Sequence, residues 1–172
     1  MESDVTPRVG RWKPLIGIAA VWVILDQATK WWALHNLDEP KPLFWTLRLN
    51  LSFNSGMAFS KGRGLGPLIG LGAVIIVVVL VRVSRTMTGR LGTVALALVL
   101  GGAIGNLTDR LLRAQNGLAS GHVVDFIDPQ WFPIFNVADA GIVVGAIFLA
   151  VSTLKGESDR DREPADGATV SA

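Results

Sequence analysis

The sequence predicts an all-α membrane protein with four transmembrane helices and a small β element and loop on the extracytoplasmic face. Three observations carry that prediction. Half of the 172 residues are apolar and 17% are charged, against roughly a quarter charged in an ordinary soluble domain. The charges also gather at the ends: residues 1–13 hold five and residues 156–172 hold seven, leaving 18 of the 30 for the 142 residues between. Finally, four apolar stretches approach the roughly 20 residues that a helix needs to cross about 30 Å of hydrocarbon. A soluble globule needs more polar surface than this middle region offers, and intrinsic disorder needs low hydrophobicity.

The first stretch runs from about Pro14 to Leu34 and continues from PLIGIAAVWVIL into DQATKWWAL. Basic residues ahead of an apolar run also suit a signal peptide. The bulky, polar DQATKWW has no small-x-small cleavage site, so the segment reads as a retained helix. The second stretch, Leu65 to Val81, is the only one free of charge. The third covers Leu91 to Leu112, and the fourth runs from near Asn136 to near Leu154. Between the first two, Thr46 to Phe53 alternates polar and apolar strictly, the period of a half-buried strand. Its Leu47, Leu49, Leu51 and Phe53 face needs cover from protein or membrane. Asn54-Ser55-Gly56 is expected to turn, with Met57 to Ser60 returning as a partner strand.

Lysines and arginines set orientation. With the N-terminus inside, nine lie on the cytoplasmic side and seven outside, and the short 82–90 connection alone carries three arginines. Both termini are therefore expected in the cytoplasm. Trp31, Trp32, Phe44, Trp45, Trp131 and Phe132 then fall near the outer interface, where amphipathic rings prefer to sit. The organisation that follows is a cytoplasmic arm (1–13), a membrane domain (14–155) and a disordered charged tail (156–172).

Composition also excludes several chemistries. There is no cysteine, which removes disulfides, thiol catalysis and thiolate metal sites. His35 and His122 are far apart in sequence, which argues against a histidine-rich metal site. No metal or cofactor is expected. No Lys/Arg cluster interleaves with aromatics, so no nucleic-acid partner is expected.

The carboxylates carry the functional signal, because ionisable residues in membrane segments are costly and rare. Asp26 and Lys30 lie in the outer half of the first helix, Asp109 and Arg110 at the outer end of the third, and Asp139 near the outer start of the fourth. Asp125 sits in an outer loop, inside the apolar run Val123 to Ile127. Helices of alternating direction thus bring their acids to one level of one leaflet. Asp26 and Lys30 are i,i+4 and can pair, or Lys30 can snorkel. Asp109 and Arg110 can pair with neighbours or cap their helix. Asp128 reads as the start of a turn. Asn54, Asn106 and Asn136 can satisfy irregular backbone or bind a substrate backbone. Asp139 can cap its helix. Asp125, however, has no neighbouring cation. If Asp125 and Asp139 approach, they share a proton and their apparent pKa values split, as in aspartic proteases. Proton-coupled transport and a non-enzymatic membrane adaptor are the competing readings at this stage. Four short helices without broken or inverted repeats argue against the first, and the second leaves the acids unexplained.

Five segments together carry a family resemblance. Asp26-Gln27-Ala28-Thr29-Lys30, Asn54-Ser55-Gly56-Met57-Ala58-Phe59, Gly105-Asn106-Leu107-Thr108-Asp109-Arg110, Val123-Val124-Asp125-Phe126 and Phe135-Asn136-Val137-Ala138-Asp139 resemble, in order and spacing, the bacterial lipoprotein signal peptidases (signal peptidase II). The resemblance spans roughly residues 12 to 155. It implies a metal-free aspartic endopeptidase of the cytoplasmic membrane, acting near the outer leaflet on diacylated prolipoproteins and cutting N-terminal to the lipidated cysteine. Asp125 and Asp139 match the catalytic pair. Asn54, Asn106, Asp109, Arg110, Asn136 and Ala138, with Asp26 and Lys30, match the positions around it. A β element cradling the site, membrane lipids as surroundings and a monomeric state complete the expectation.

Overall fold

A computed structural model describes residues 12–55, 66–83, 89–114 and 120–161, and these form four long helices and one three-stranded antiparallel sheet. The order is α1 (Trp12–Asn36), β1 (Lys41–Phe44), β2 (Leu47–Asn54), α2 (Gly66–Val83), α3 (Arg90–Leu112), β3 (Val123–Asp128) and α4 (Val137–Asp161). The helices match the four apolar stretches to within a few residues, except that α4 runs on to Asp161. Residues 156–161 of the expected disordered tail are therefore helical. Extending a helix that already exists avoids the cost of nucleating one. The remainder of the tail lies outside the described residues.

Helix α3 is the hub, packing against α1, α2 and α4. Its centre, Ala95 to Ala103, is buried and built mainly from alanine, glycine, leucine and valine. One apolar cluster joins Leu15 and Ala19 of α1 to Leu96, Ala97 and Leu100 of α3, with Val77, Leu80 and Val81 of α2 against it. The α3–α4 contact is closer still. A Cβ on Gly102 would collide with the Ala138 carbonyl and one on Gly145 with the Ala95 carbonyl, while between α1 and α4 one on Gly141 would collide with the Trp22 indole nitrogen. Without side chains there, the helix backbones can approach, as small residues permit in membrane helix pairs.

The outer surface is the reverse of a soluble protein's. Ile24, Leu71, Ile75, Val79, Val143 and Ile147 are all exposed, while the interior holds a charged cluster. Helix α3 and the Val137–Leu154 part of α4 are each long and apolar enough to cross a membrane.

The β element is larger than the sequence suggests, and differently paired. Strand β2 is central, flanked by β1 and β3. Residues 57–60, expected as its partner, lie outside the described residues. The observed partners are Lys41–Phe44 on one side and the Asp125 segment on the other, so the apolar run expected as an outer loop is a strand. The β1–β2 hairpin turns at Trp45-Thr46, with Trp45 at φ 48°. Leu49 and Leu51 pack with Ala33, Leu37 and Phe126 in a second apolar cluster, which supplies much of the cover that the alternating face requires. Phe53 stays exposed. Asp128 ends β3, accepting from the Gln130 amide at 2.9 Å and pairing with Arg48 at 2.6 Å. The turn reading of Asp128 therefore holds, with a cross-strand ion pair added to it.

The tight α1–α4 approach yields a stability prediction. Gly141→Val should lower the thermal unfolding midpoint in detergent, by the roughly 1–3 kcal/mol typical of forced overpacking. The same substitution at Gly17, where nothing lies within 4 Å of an added Cβ, should leave the midpoint nearly unchanged.

Candidate active site

At the sheet end of the helices, α1, α3, β3 and the start of α4 enclose a polar cluster. It begins with Lys30, which is wholly buried and does not snorkel. Its ammonium lies 2.9 Å from Asp26 Oδ2 and 2.9 Å from Asp109 Oδ2, and it donates to Asn106 Oδ1 at 2.9 Å. The expected i,i+4 pair with Asp26 is thus present, and Asp109 joins it. Three donors meet three acceptors, the full capacity of a lysine.

The surrounding bonds fix the neighbouring backbone. Asp26 Oδ1 accepts from the Ala138 amide at 2.9 Å. Asp109 Oδ2 accepts from the Val124 amide at 3.1 Å, and Arg113 supports Asp109 Oδ1 at 3.3 Å. Gln27 donates to Asp26 and to the Gly105 carbonyl, each at 3.1 Å. A Cβ on Gly105 would lie 2.6 Å from Asp26 Oδ2, so the bare glycine makes room for that carboxylate. Arg110 is buried and reaches the Gly121 carbonyl at 3.5 Å. The Gly121 amide returns a bond to the Arg110 carbonyl at 3.0 Å, which docks the approach to β3 onto the end of α3.

Asp139 and Asp125 occupy the next layer. Asn136 and Asp139 form a reciprocal helix cap. The Asn136 side chain accepts from the Asp139 amide at 2.9 Å, and Asp139 Oδ2 accepts from the Asn136 amide at 3.2 Å. This is a capping box with aspartate at its third helical position. Asn106 donates to Asp139 Oδ1 at 2.8 Å. Asp125, in the middle of β3, accepts from Asn136 at 2.7 Å and from Asn54 at 3.0 Å. One residue, Asn136, therefore bonds both acids. Among the described residues, no buried side-chain nitrogen or oxygen in this cluster lacks a partner.

Burial, joined by the nearby Asp139 charge and opposed by the Asn54 and Asn136 bonds and by Lys30, holds the Asp125 carboxyl up at about 6. At the sheet edge, the Arg48 bond holds Asp128 below its usual value. A groove of about 680 Å³ opens beside Asp139, lined by Phe44, Trp45, Leu47, Phe132, Phe135 and Val143 among others. Trp31, Trp131, Phe44 and Trp45 are exposed around this end.

All ten candidate residues thus lie in or against one cluster. The asparagines, expected to serve backbone or substrate, each donate to one of the two acids, and Asn136 also serves backbone, donating to the Val124 carbonyl and accepting from the Asp139 amide. Gln27 and the amides of Val124 and Ala138 were not singled out from the sequence. Gln27 stands inside a quoted motif, whereas backbone amides carry no residue-type signal.

Comparison with known proteins shows the family. The family model described as signal peptidase (SPase) II matches residues 18–155. The chain belongs to the signal peptidase II family. A lipoprotein signal peptidase of Rhodococcus jostii is 46% identical over 154 residues, covering 87% of this chain and 77% of the relative. The lipoprotein signal peptidase of Mycolicibacterium smegmatis is 37% identical, covering 99% and 77%. Among solved structures, a bacterial membrane enzyme determined by the in meso method at 2.3 Å resolution superposes with a TM-score of 0.74 at 29% identity, covering 88% of this chain and 94% of that one.

The coupling of the two acids can be measured. Asp139→Asn removes a like charge, so the Asp125 midpoint, followed by its infrared carboxyl band, should fall below about 6. Asn54→Leu removes a bond to the ionised form and should raise it. The sign also fixes a stability trend. The folded state holds this proton more tightly than the unfolded chain, so stability should decline as pH rises from about 4 to about 6 and level off above. Asp139→Asn should flatten that decline.

Proposed function

We propose that the chain is an intramembrane aspartic endopeptidase that removes signal peptides from diacylglyceryl-modified prolipoproteins, cutting N-terminal to the lipidated cysteine. The observation that carries this reading is the pair of carboxylates, Asp125 and Asp139, bonded to the same asparagine, with Asp139 lining an apolar groove. Family membership supplies the peptidase class.

In this reading all four helices cross the membrane, both termini are cytoplasmic, and the sheet and its aromatic rim lie at the outer leaflet. Exposed aliphatic side chains along α2 and α4 support it, as do the tryptophans gathered at the sheet end. The arm before the first helix and the charged tail stand outside the peptidase domain, and the enzyme acts as a monomer among membrane lipids.

The chemistry follows from the two acids. One carboxylate takes a proton from water, whose oxygen attacks the scissile carbonyl carbon. The other, protonated, donates to the carbonyl oxygen; as the C–N bond breaks, the proton taken from water passes to the departing amine and the second acid recovers its proton from the hydroxyl it had made. A carboxyl whose value is raised to about 6 keeps a proton available near neutral pH. Such acid–base action contributes on the order of 10² to 10⁴ in rate. The asparagine amides hold the two carboxyl groups in place for this exchange. The acyl chains, held in lipid and along the Phe44–Val143 groove, orient the peptide and convert a free search into a fixed approach.

Purified protein should cleave a diacylated precursor and leave its non-lipidated counterpart intact when the two are incubated side by side. Asp125→Asn and Asp139→Asn should each remain folded and membrane-inserted, and each should lose at least the roughly 10²-fold that acid–base catalysis supplies. Near-normal turnover by either variant would remove the dyad from the mechanism.

A further inference from the structure

Two hydrogen bonds in the buried cluster stand at matching positions. The Ala138 amide, one residue before Asp139, donates to Asp26 Oδ1 at 2.9 Å. The Val124 amide, one residue before Asp125, donates to Asp109 Oδ2 at 3.1 Å. The two acceptors are joined by Lys30, whose ammonium lies 2.9 Å from each. All three side chains are fully buried.

We propose that Asp26, Lys30 and Asp109 form a positioning clamp that sets the separation of the Asp125 and Asp139 carboxyl groups. The proposal rests on the peptidase reading above. Each acid of the clamp grips the amide of the residue that precedes a dyad residue, one peptide unit short of the dyad Cα, and so restrains the backbone from which that side chain leaves. Ionised acceptors make such bonds shorter and stronger than neutral ones. The shared ammonium then holds the two grips at one distance, spanning α1 and α3. Its third bond, to Asn106 Oδ1, extends the clamp to Asp139, because the Asn106 side-chain amide donates to Asp139 Oδ1 at 2.8 Å. A buried ion cluster is weak evidence for stability by itself, since desolvation offsets much of the attraction. What it supplies here is geometry, and misplacement of reacting groups by about 1 Å costs roughly 10²-fold in rate.

The clamp separates from a purely structural role by two substitutions at one site. Asp26→Asn keeps an oxygen that can accept from the Ala138 amide, whereas Asp26→Leu removes it. Per folded full-length molecule, Asp26→Leu should lose about 10²-fold in kcat on the diacylated precursor, while Asp26→Asn, which keeps the grip on the Ala138 amide and gives up the Lys30 bond, recovers part of that loss. KM should stay within a few-fold for both. Equal kcat in the two folded variants, or a loss confined to KM, would overturn the clamp. A second change guards against misfolding of the leucine variant. Replacing Ala138 by lactic acid turns its N–H into an ester oxygen and deletes this bond without touching any side chain or charge. The ester should lower kcat and move the titration midpoint of the Asp125 infrared band, which reports the spacing to Asp139. An unmoved midpoint overturns the proposal. The infrared reading needs no substrate. If the unmodified protein fails to cleave, the peptidase reading falls while the midpoint still decides the clamp.

Discussion

Everything at the sheet end of this molecule depends on one buried ammonium. Lys30 has no exposure, and a cation in that position is tolerated only when charge and hydrogen bonds are both supplied internally. Asp26 supplies the first partner from the same helix, Asp109 and Asn106 supply the others from α3. This requirement sets the level at which α1 and α3 must meet, because a slip of one helical turn would move Lys30 away from both α3 partners. It also explains the glycine at 105, since a methyl group there would press on the Asp26 carboxylate. The position of the Ala138 amide follows from the same carboxylate, so the entry of α4 inherits its register from the lysine.

The rest of the architecture makes such a cluster affordable. Small residues between α3 and its neighbours bring backbones together, and large aliphatic side chains are turned outward. In water that surface would aggregate, whereas lipid removes the need to bury it. The sheet solves a different problem. Its Leu49 and Leu51 side chains rest with Phe126 on the end of α1. That contact seats β3 over the helices and carries Asp125 to the start of α4. A helical bundle alone has no element at this height to bring a second acid opposite the first.

The parts of the fold that follow from periodicity were legible in the sequence, and those that follow from pairing were not. Long apolar runs located all four helices, and strict alternation located β2. Strand β1 gave no comparable signal. Lys41–Phe44 is four residues long, contains a proline, and turns through Trp45 at φ 48°, a conformation usually announced by glycine or asparagine. The Val123–Ile127 run was visible as apolar, but its strand character comes from β2 beside it and from the Asp109 side chain on the Val124 amide. At the site, intramembrane charge singled out the acids and Lys30, and the motif set added the asparagines. What stayed hidden was which group bonds which. Lys30 appeared able to snorkel because a sequence shows the length of a side chain and not the three acceptors waiting for it.

The bonding pattern also explains how two acids can sit among cations without losing their chemistry. Among the described residues, neither Asp125 nor Asp139 pairs directly with a lysine or arginine; the ion pairs fall on Asp26, Asp109 and Asp128 instead. Each dyad oxygen is met by a neutral amide, from Asn54, Asn106, the Asn136 side chain or the Asn136 backbone. A direct cation would favour the ionised form strongly and strip the proton that the proposed general acid needs. Neutral donors hold the carboxylates in place with a smaller pull on that proton, and burial works the other way, raising Asp125. The cluster therefore separates two tasks that conflict within one residue. Among the described residues, Asp26 and Asp109 are paired with cations, while Asp125 and Asp139 accept from neutral amides, the division of tasks that the proposed peptidase reading needs.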